Sequence, residues 1–163
     1  AMKSDVVSHA NVQLLDRFYA AFAAKDAATL VACYTPDAHF ADPIFDVRGP
    51  EVGAMWTMFC ERGHDVKIEW RDIRADAATG SAHWEPRYTF SVTGRLVRNR
   101  IDSAFTFRDG LIATQRDTFD LWRWSRMALG VKGALLGWTP MVRRAIRSEA
   151  RRNFDNWRAR RSG

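Results

Sequence analysis

The chain opens with apolar residues at helical spacing, Val12, Leu15, Phe18, Tyr19 and Phe22, which predicts an amphipathic helix to about Lys25, with Ser8 and Asn11 as candidate caps. Asp26 caps a second, short helix whose buried face is Leu30, Cys33 and Tyr34, and Thr35-Pro36-Asp37 ends it because proline disfavours the helical conformation in its predecessor. His39 and Phe40 suggest a short strand before the turn at Asp42-Pro43, and Gly49-Pro50 opens a third helix to about Arg62, since proline suits the first helical position. After Gly63 the period drops from helical to two. Val66, Ile68 and Trp70 share one strand face, Ala82, Trp84, Pro86, Tyr88, Phe90 and Val92 the next, and Asn99, Ile101, Ser103, Phe105 and Phe107 a third, with Thr93-Gly94 as the intervening turn. Arg108-Asp109-Gly110 reads as a three-residue hairpin loop that pairs Phe107 with Leu111 and sets Ile101 opposite Asp117. That register places Asp117 and Phe119 on the face carrying Trp84, Tyr88, Asn99, Ile101 and Ser103.

Three helices followed by a long antiparallel sheet predict an α+β domain: a cone-shaped roll of a curved sheet covered on one face by the three N-terminal helices. The other face carries His83, Glu85, Arg87, Arg98, Arg100, Asp102 and Arg116, charges of both signs that suit a solvated surface or a homodimer formed through this outer face. Residues 1–122 are expected to form the cone and 123–163 a basic helical extension of the same domain. In that extension Val142, Ile146, Ala150, Phe154 and Trp157 make one stripe among many arginines, after a break at Gly137 to Pro140.

The charge distribution sharpens this picture. The net charge of +6 divides into 14 basic and 17 acidic residues in 1–120 against 11 and 2 in 121–163. The body therefore has no positive surplus with which to hold nucleic acid, and no nucleic-acid partner is expected. The tail is read as an amphipathic helix packed on the body or on a second subunit, with snorkelling arginines, in preference to a membrane-surface helix, although Trp122, Trp124, Trp138 and Trp157 among basic residues are also what an interfacial helix carries. The stretch from Met127 to Val142 is broken by Lys132, Gly133, Gly137 and Pro140 and supplies no spanning segment. Nor does the N-terminus show a basic region followed by an apolar run, and Ala1 ahead of Met2 reads as a cloning remnant. A cytoplasmic protein is expected. Cys33 and Cys60 fall in apolar helical patterns as small core residues, His39 and His83 lack ligand spacing, His9 and His64 read as surface residues, and neither a metal nor a cofactor is expected.

Two runs carry a resemblance to a known family. Arg17-Phe18-Tyr19-Ala20-Ala21-Phe22, Lys25-Asp26 and Tyr34 through Pro43 resemble the opening of nuclear-transport-factor-2-like proteins, including ketosteroid isomerase. Phe105 through Ile112 and Arg116 through Leu121 are similar to limonene-epoxide hydrolase and SnoaL-like polyketide cyclase relatives, and together the resemblance covers about residues 8–122. It implies a cone that binds a small apolar molecule of steroid, polyketide or terpene type, with cofactor-free isomerase, cyclase or hydrolase chemistry. Asp42 falls where isomerase-like members place the proton-shuttling carboxylate, Phe18 where they place an oxyanion-stabilising tyrosine, and Ser103 where they place a protonated acid. Tyr19 and Asp102, next in sequence, are expected to point elsewhere. Asp117 matches one of the two essential carboxylates of the epoxide hydrolases. Their second aspartate and its arginine align near Pro86 and Trp84, and their water-holding tyrosine and asparagine at Phe40 and Asp42.

The candidate chemistry is thus Asp117 with Asp42 exchanging protons with a carbonyl or epoxide that Asn99, Ser103 or Tyr88 orients. Asp42 could equally just shape a turn, and Asp117 could be a structural hydrogen-bond acceptor for a helix end, Tyr88, Asn99 or Ser103. Phe18, Phe40, Trp56, Phe59, Trp70, Trp84, Tyr88, Ile101 and Phe119 either line an apolar site or fill the cone as core. The alternative to an enzyme is a non-catalytic binding or assembly module whose basic tail makes the contacts.

Overall fold

The change from helical to twofold periodicity after Gly63 is realised in a computed structural model that describes residues 2–162, with side chains from residue 10 onward. The elements are α1 (Met2–Ala23), α2 (Ala27–Ala32), β1 (Tyr34–Ala41), β2 (Asp46–Arg48), α3 (Pro50–Arg62), β3 (Lys67–Ala75), β4 (Thr79–Phe90), β5 (Arg95–Arg98), β6 (Ile101–Arg108), β7 (Leu111–Thr118), α4 (Leu121–Leu129), α5 (Val131–Leu136) and α6 (Pro140–Ser162). The strands form one curved, unclosed sheet in the order β2-β1-β7-β6-β4-β3, with β5 pairing β4, covered by the three N-terminal helices as an α+β roll. All pairings are antiparallel except β1 with β7. Among the described residues no helix is long and apolar enough to cross a membrane.

Local expectations hold where the chemistry is local. Asp26 caps α2 by accepting from Thr29 N, and Pro50 occupies the first turn of α3. The inward strand face is buried through Ala82, Trp84, Ile101, Ser103, Phe105 and Asp117, while its outward neighbours are mostly exposed. Cys33 and Cys60 are free, buried thiols.

Several boundaries differ. α1 begins at Met2, so Ser8 and Asn11 lie within it; Asn11 instead donates to the Asp76 carbonyl at 2.8 Å and ties the helix to the β3–β4 turn. The side chains of Ser8 and His9 lie outside the described residues. β1 starts at Tyr34 and contains Pro36, which is tolerated because the β1–β7 register shifts between Tyr34 and His39 and leaves proline where pairing is interrupted. Val92 sits in the turn after β4 and is exposed. The β6–β7 connection has two residues, Asp109 and Gly110, both at positive φ (54° and 76°) as this tight turn requires, and Arg108 pairs with Leu111. An irregularity between Thr106 and Phe107 then sets the register so that Ser103, not Ile101, faces Asp117. The shift is of two residues, so the expected face survives and only the partner changes.

The extension is built from three helices, α4, α5 and α6. Asp120 caps α4 by accepting from Arg123 N. α4 buries Leu121, Trp124 and Ala128 with Val97 in a second apolar cluster, flanked by Ile44, Tyr88, Phe90 and Phe119. α5 lies against α4 at backbone distance: a Cβ added to Gly133 would fall 1.9 Å from the Ser125 carbonyl oxygen, and one added to Gly137 would fall 2.0 Å from Ser125 Oγ. α6 sends Phe154 and Trp157 into the main core. Its arginines reach acidic groups of α3: Arg151 and Arg158 meet Glu51, and Arg161 meets Glu61, which also accepts from Trp157 Nε1 at 2.9 Å. On the outer sheet face His83 bridges Asp102 and Glu85 at 2.8 Å each, with Arg71 also on Glu85.

Candidate functional site

Asp117 projects from β7 into the concave side of the sheet and is 2% exposed. A carboxylate there loses its hydration, and the fold supplies partial replacements. Ser103, opposite it on β6, donates to Oδ1 at 2.6 Å, and Gln115, two residues back on the same face, donates to Oδ1 at 3.0 Å. Behind these donors stand two tyrosines: Tyr19 donates to Ser103 Oγ at 2.9 Å, and Tyr34 donates to Gln115 Oε1. Among the described residues every hydrogen bond to Asp117 thus falls on one oxygen. Burial pushes its pKa up to about 7; Ser103 and Gln115 pull it down, and the nearby Asp42 pushes it further up. Burial also raises Tyr19 and Tyr34 well above the usual phenol range, so both remain donors.

Asp42 follows β1 and shapes the turn there, its Oδ1 accepting from Ile44 N at 2.7 Å and Phe45 N at 2.6 Å. The turn role is therefore real. Here too, among the described residues, only one oxygen is engaged, and burial raises the pKa to about 6 against the two backbone donors. Asp42 and Asp117 sense one another electrostatically, as do Asp42 and Tyr88, so the three polar groups belong to one region.

Around the carboxylates is a nest of rings. Trp56 lies edge-on to Phe18, Phe40 and Phe59 at centroid distances of 5.4, 5.5 and 5.7 Å, and tilted against Trp84 at 6.3 Å. Ile101 is buried opposite Trp84. Trp84 Nε1–H lies close enough to Asp117, and Trp56 Nε1–H to Tyr34, to lower those pKa values, yet neither reaches hydrogen-bond geometry and both are buried without a partner. One orphaned indole donor beside a carboxyl with an unengaged oxygen, and a second beside Tyr34, are an unusual concentration of unsatisfied polarity.

Other expected members stand apart. Trp70 stacks on Tyr19 but turns its N–H outward to Asp16. Asn99 accepts from the adjacent Arg100 N, a local bond. Tyr88 accepts from Trp124 Nε1 at 2.8 Å and, with Phe119, underlies α4. Tyr19 corrects the expectation that it points elsewhere: α1 buries Leu14, Leu15, Phe18 and Tyr19 together, a face wide enough to bring adjacent positions inward. Asp102 does point outward. Tyr34 and Gln115 escaped sequence reasoning as site residues, although Gln115 shares the strand face of Asp117. Two shallow cavities, of about 230 and 240 Å³, are seen at the surface, one lined by His39, Ala41, Thr114, Gln115 and Arg116 and one between α3 and the end of α6. Among the described residues no three His, Cys, Asp or Glu side chains gather as a metal site.

A sheet lined by carboxyl, hydroxyl and indole groups under three helices invites comparison with known families. The SnoaL-like domain profile matches residues 15–115, most of the chain and all of the sheet but its last residues. The chain belongs to the SnoaL-like domain family. No curated protein sequence matches it significantly. Among solved structures, this SnoaL-like chain is similar to an LEH-like epoxide hydrolase from M. tuberculosis, with 20% identity, a TM-score of 0.61, and coverage of 80% of this chain and 97% of the other. A SnoaL-like polyketide cyclase assignment from Jannaschia sp. CCS1 aligns with 15% identity and a TM-score of 0.65, covering 77% and 94% of the two chains. TerC, crystallised with polyporic acid, aligns with 16% identity and a TM-score of 0.61, covering 72% and 97%. At these identities the likeness is one of fold.

Proposed function

We propose that this SnoaL-like protein binds a small, mostly apolar molecule bearing a carbonyl or epoxide oxygen, and that Asp117, with Asp42, carries out cofactor-free acid–base chemistry on it. The observation that carries the reading is Asp117 itself: a buried carboxyl with a pKa near 7, one oxygen pinned by Ser103 and Gln115 and the other unengaged. A group titrating near neutrality both accepts and returns a proton at the working pH. The unpartnered N–H groups of Trp84 and Trp56 are suited to an oxygen on the ligand, which would relieve the cost of burying them. In a hydrolase cycle ionised Asp117 takes a proton from water as the water oxygen bonds to an epoxide carbon and the ring C–O bond breaks, with a protonated Asp42 giving its proton to the released oxygen. In an isomerase cycle Asp117 takes a proton from a carbon beside the carbonyl and returns it to another carbon. Asp42, titrating about one unit lower, serves as the second carboxyl. Tyr19 and Tyr34 position Ser103 and Gln115 and so hold Asp117 in place. The names of the structural neighbours, an epoxide hydrolase and a polyketide cyclase, agree with this class of substrate.

Residues 1–122 are proposed as the binding cone and 123–163 as an extension of the same domain, with the protein acting as a cytoplasmic homodimer through the outer sheet face. Rings fill much of the interior, and α4 packs on Tyr88 beside the Asp42 turn. The same filling favours a second reading, a non-catalytic module whose cone is core. Native mass spectrometry, then turnover of steroid enones, polyketide ketones and terpene epoxides by the protein and by Asp117→Asn, separates the two. The proposal expects a bound or stabilising apolar ligand, with turnover abolished in the folded variant. Unchanged turnover in Asp117→Asn refutes the catalytic assignment.

A further inference from the structure

Among the described residues eight large apolar side chains are exposed, and five of them lie between positions 131 and 141: Val131, Leu135, Leu136, Trp138 and Met141. The close approach of Gly133 and Gly137 to Ser125 explains why. With the glycine edge of α5 sealed against α4, positions 131 and 135, one turn apart, must point the opposite way, and Trp138 continues that line beyond the helix end. Val131, Leu135 and Trp138 are 75, 65 and 63% exposed, and Met141 is 74% exposed. A patch of this kind marks a contact surface rather than scattered exposure.

Its charge surroundings identify the contact. Residues 121–148 hold six basic residues and no acidic one. Farther along α6 the arginines have carboxylate partners: Arg151 and Arg158 on Glu51, Arg152 on Glu149, Arg161 on Glu61. Around the patch the cations have none among the described residues: Arg126 lies over the Trp122 ring, and Arg143 and Arg147 reach backbone carbonyls. Lys132 and Arg144, exposed, make no ion pair. Exposed aliphatics with a tryptophan, rimmed by uncompensated cations, match a surface that is apolar just below an anionic layer. A nucleic acid offers the negative charge but no use for Val131, Leu135 and Met141.

We infer that the outward face of α5 and the turn into α6 form a docking surface for an anionic lipid bilayer, with Leu135 and Trp138 entering the headgroup region and Lys132 and Arg144 meeting lipid phosphates. This surface is separate from the apolar stripe of α6, whose Phe154 and Trp157 belong to the core.

The test is flotation of the full-length protein with vesicles of phosphatidylcholine alone and of phosphatidylcholine with an equal part of phosphatidylglycerol, at low and high salt. The protein is expected to bind the mixed vesicles in a salt-sensitive way and to ignore neutral ones. A basic residue near such a surface is worth about a fivefold change in partitioning, so Lys132→Gln with Arg144→Gln lowers binding roughly 25-fold. Leu135→Ser with Trp138→Ser lowers it about tenfold or more while the melting temperature stays unchanged, because the replaced side chains are exposed. Failure to bind mixed vesicles, or binding by both variants as strong as that of the parent protein, overturns the inference. So does a dimer that Leu135→Ser with Trp138→Ser converts to a monomer without any vesicle binding, which assigns the face to a second copy. Salt-sensitive binding to duplex DNA that depends on the cations but not on Leu135 and Trp138, without vesicle binding, assigns it to nucleic acid and likewise overturns it.

Discussion

Replacing Asp117 by Asn keeps the size of the side chain and the oxygen that Ser103 and Gln115 address, and removes only the ability to ionise. The carboxyl titrates at about 7 in the fold against a reference value of 3.8, a difference of roughly three units. Its folded pKa is the raised one, so its protonated form contributes stability in full below the unfolded pKa. That contribution falls as pH rises and is gone above the folded pKa. At about 1.4 kcal/mol per unit, the native carboxyl costs about 4 kcal/mol more at pH 8 than at pH 4. Asparagine escapes that cost but sets an amide where Oδ2 had been, and an unpaired buried N–H costs about 1–3 kcal/mol at any pH. The variant is therefore expected to be less stable than the parent near pH 4 by about 1–3 kcal/mol and more stable near pH 8 by a similar amount. Urea unfolding followed by tryptophan fluorescence at several pH values reads this directly. The decisive feature is the crossing of the two stability curves between the two pH extremes. Curves that run parallel, with Asp117→Asn below the parent throughout, would mean that the native carboxyl titrates as it does in water, and the argument from burial would fail.

Ser103→Ala removes a donor that favours the ionised form, so the Asp117 pKa is expected to climb above its parent value, seen in the pH titration of its carboxyl carbon by NMR; an unmoved titration refutes the assigned bond. Gly133→Ala forces a methyl group into the Ser125 carbonyl oxygen, and α5 is expected to lift from α4, with faster amide exchange in both and about 2 kcal/mol or more lost by denaturant unfolding. Phe154→Ala empties a fully buried site shared by α6 and the main core and is expected to cost about 3–5 kcal/mol, whereas a loss below about 1 kcal/mol by the same assay would show that the tail is only loosely attached.

The sheet was readable because twofold alternation writes the buried face directly into positions such as Ala82, Trp84, Ile101, Ser103 and Asp117. Partner identity was less readable: Asp109-Gly110 fits either a two- or a three-residue loop, and the irregularity at Thr106 and Phe107 leaves no mark in residue type. Face membership survived that error because the register moved by an even number. Asp117 announced itself as a carboxylate on an apolar face, whereas Tyr19 hid on a helix whose buried side is wide. The seal between α4 and α5 could have been suspected from Gly133 and Gly137, four apart, but its partner Ser125 is fixed only by the fold.

The lone parallel pairing bears on how the chain reaches this state. β3, β4, β6 and β7 can zip together through neighbouring antiparallel pairs, but β1 pairs with β7, joining Tyr34 to Ile112 across most of the body. Loop closure over that distance must precede the contacts that reward it, which places β1 capture late and makes it slow. During synthesis α1, α2 and β1 leave the ribosome well before β7 exists, with Leu15, Phe18, Tyr19 and Phe40 lacking the strand they will cover. An emerging chain is thus most exposed to aggregation in its first half, and chaperone capture should be strongest on nascent chains that stop short of β7.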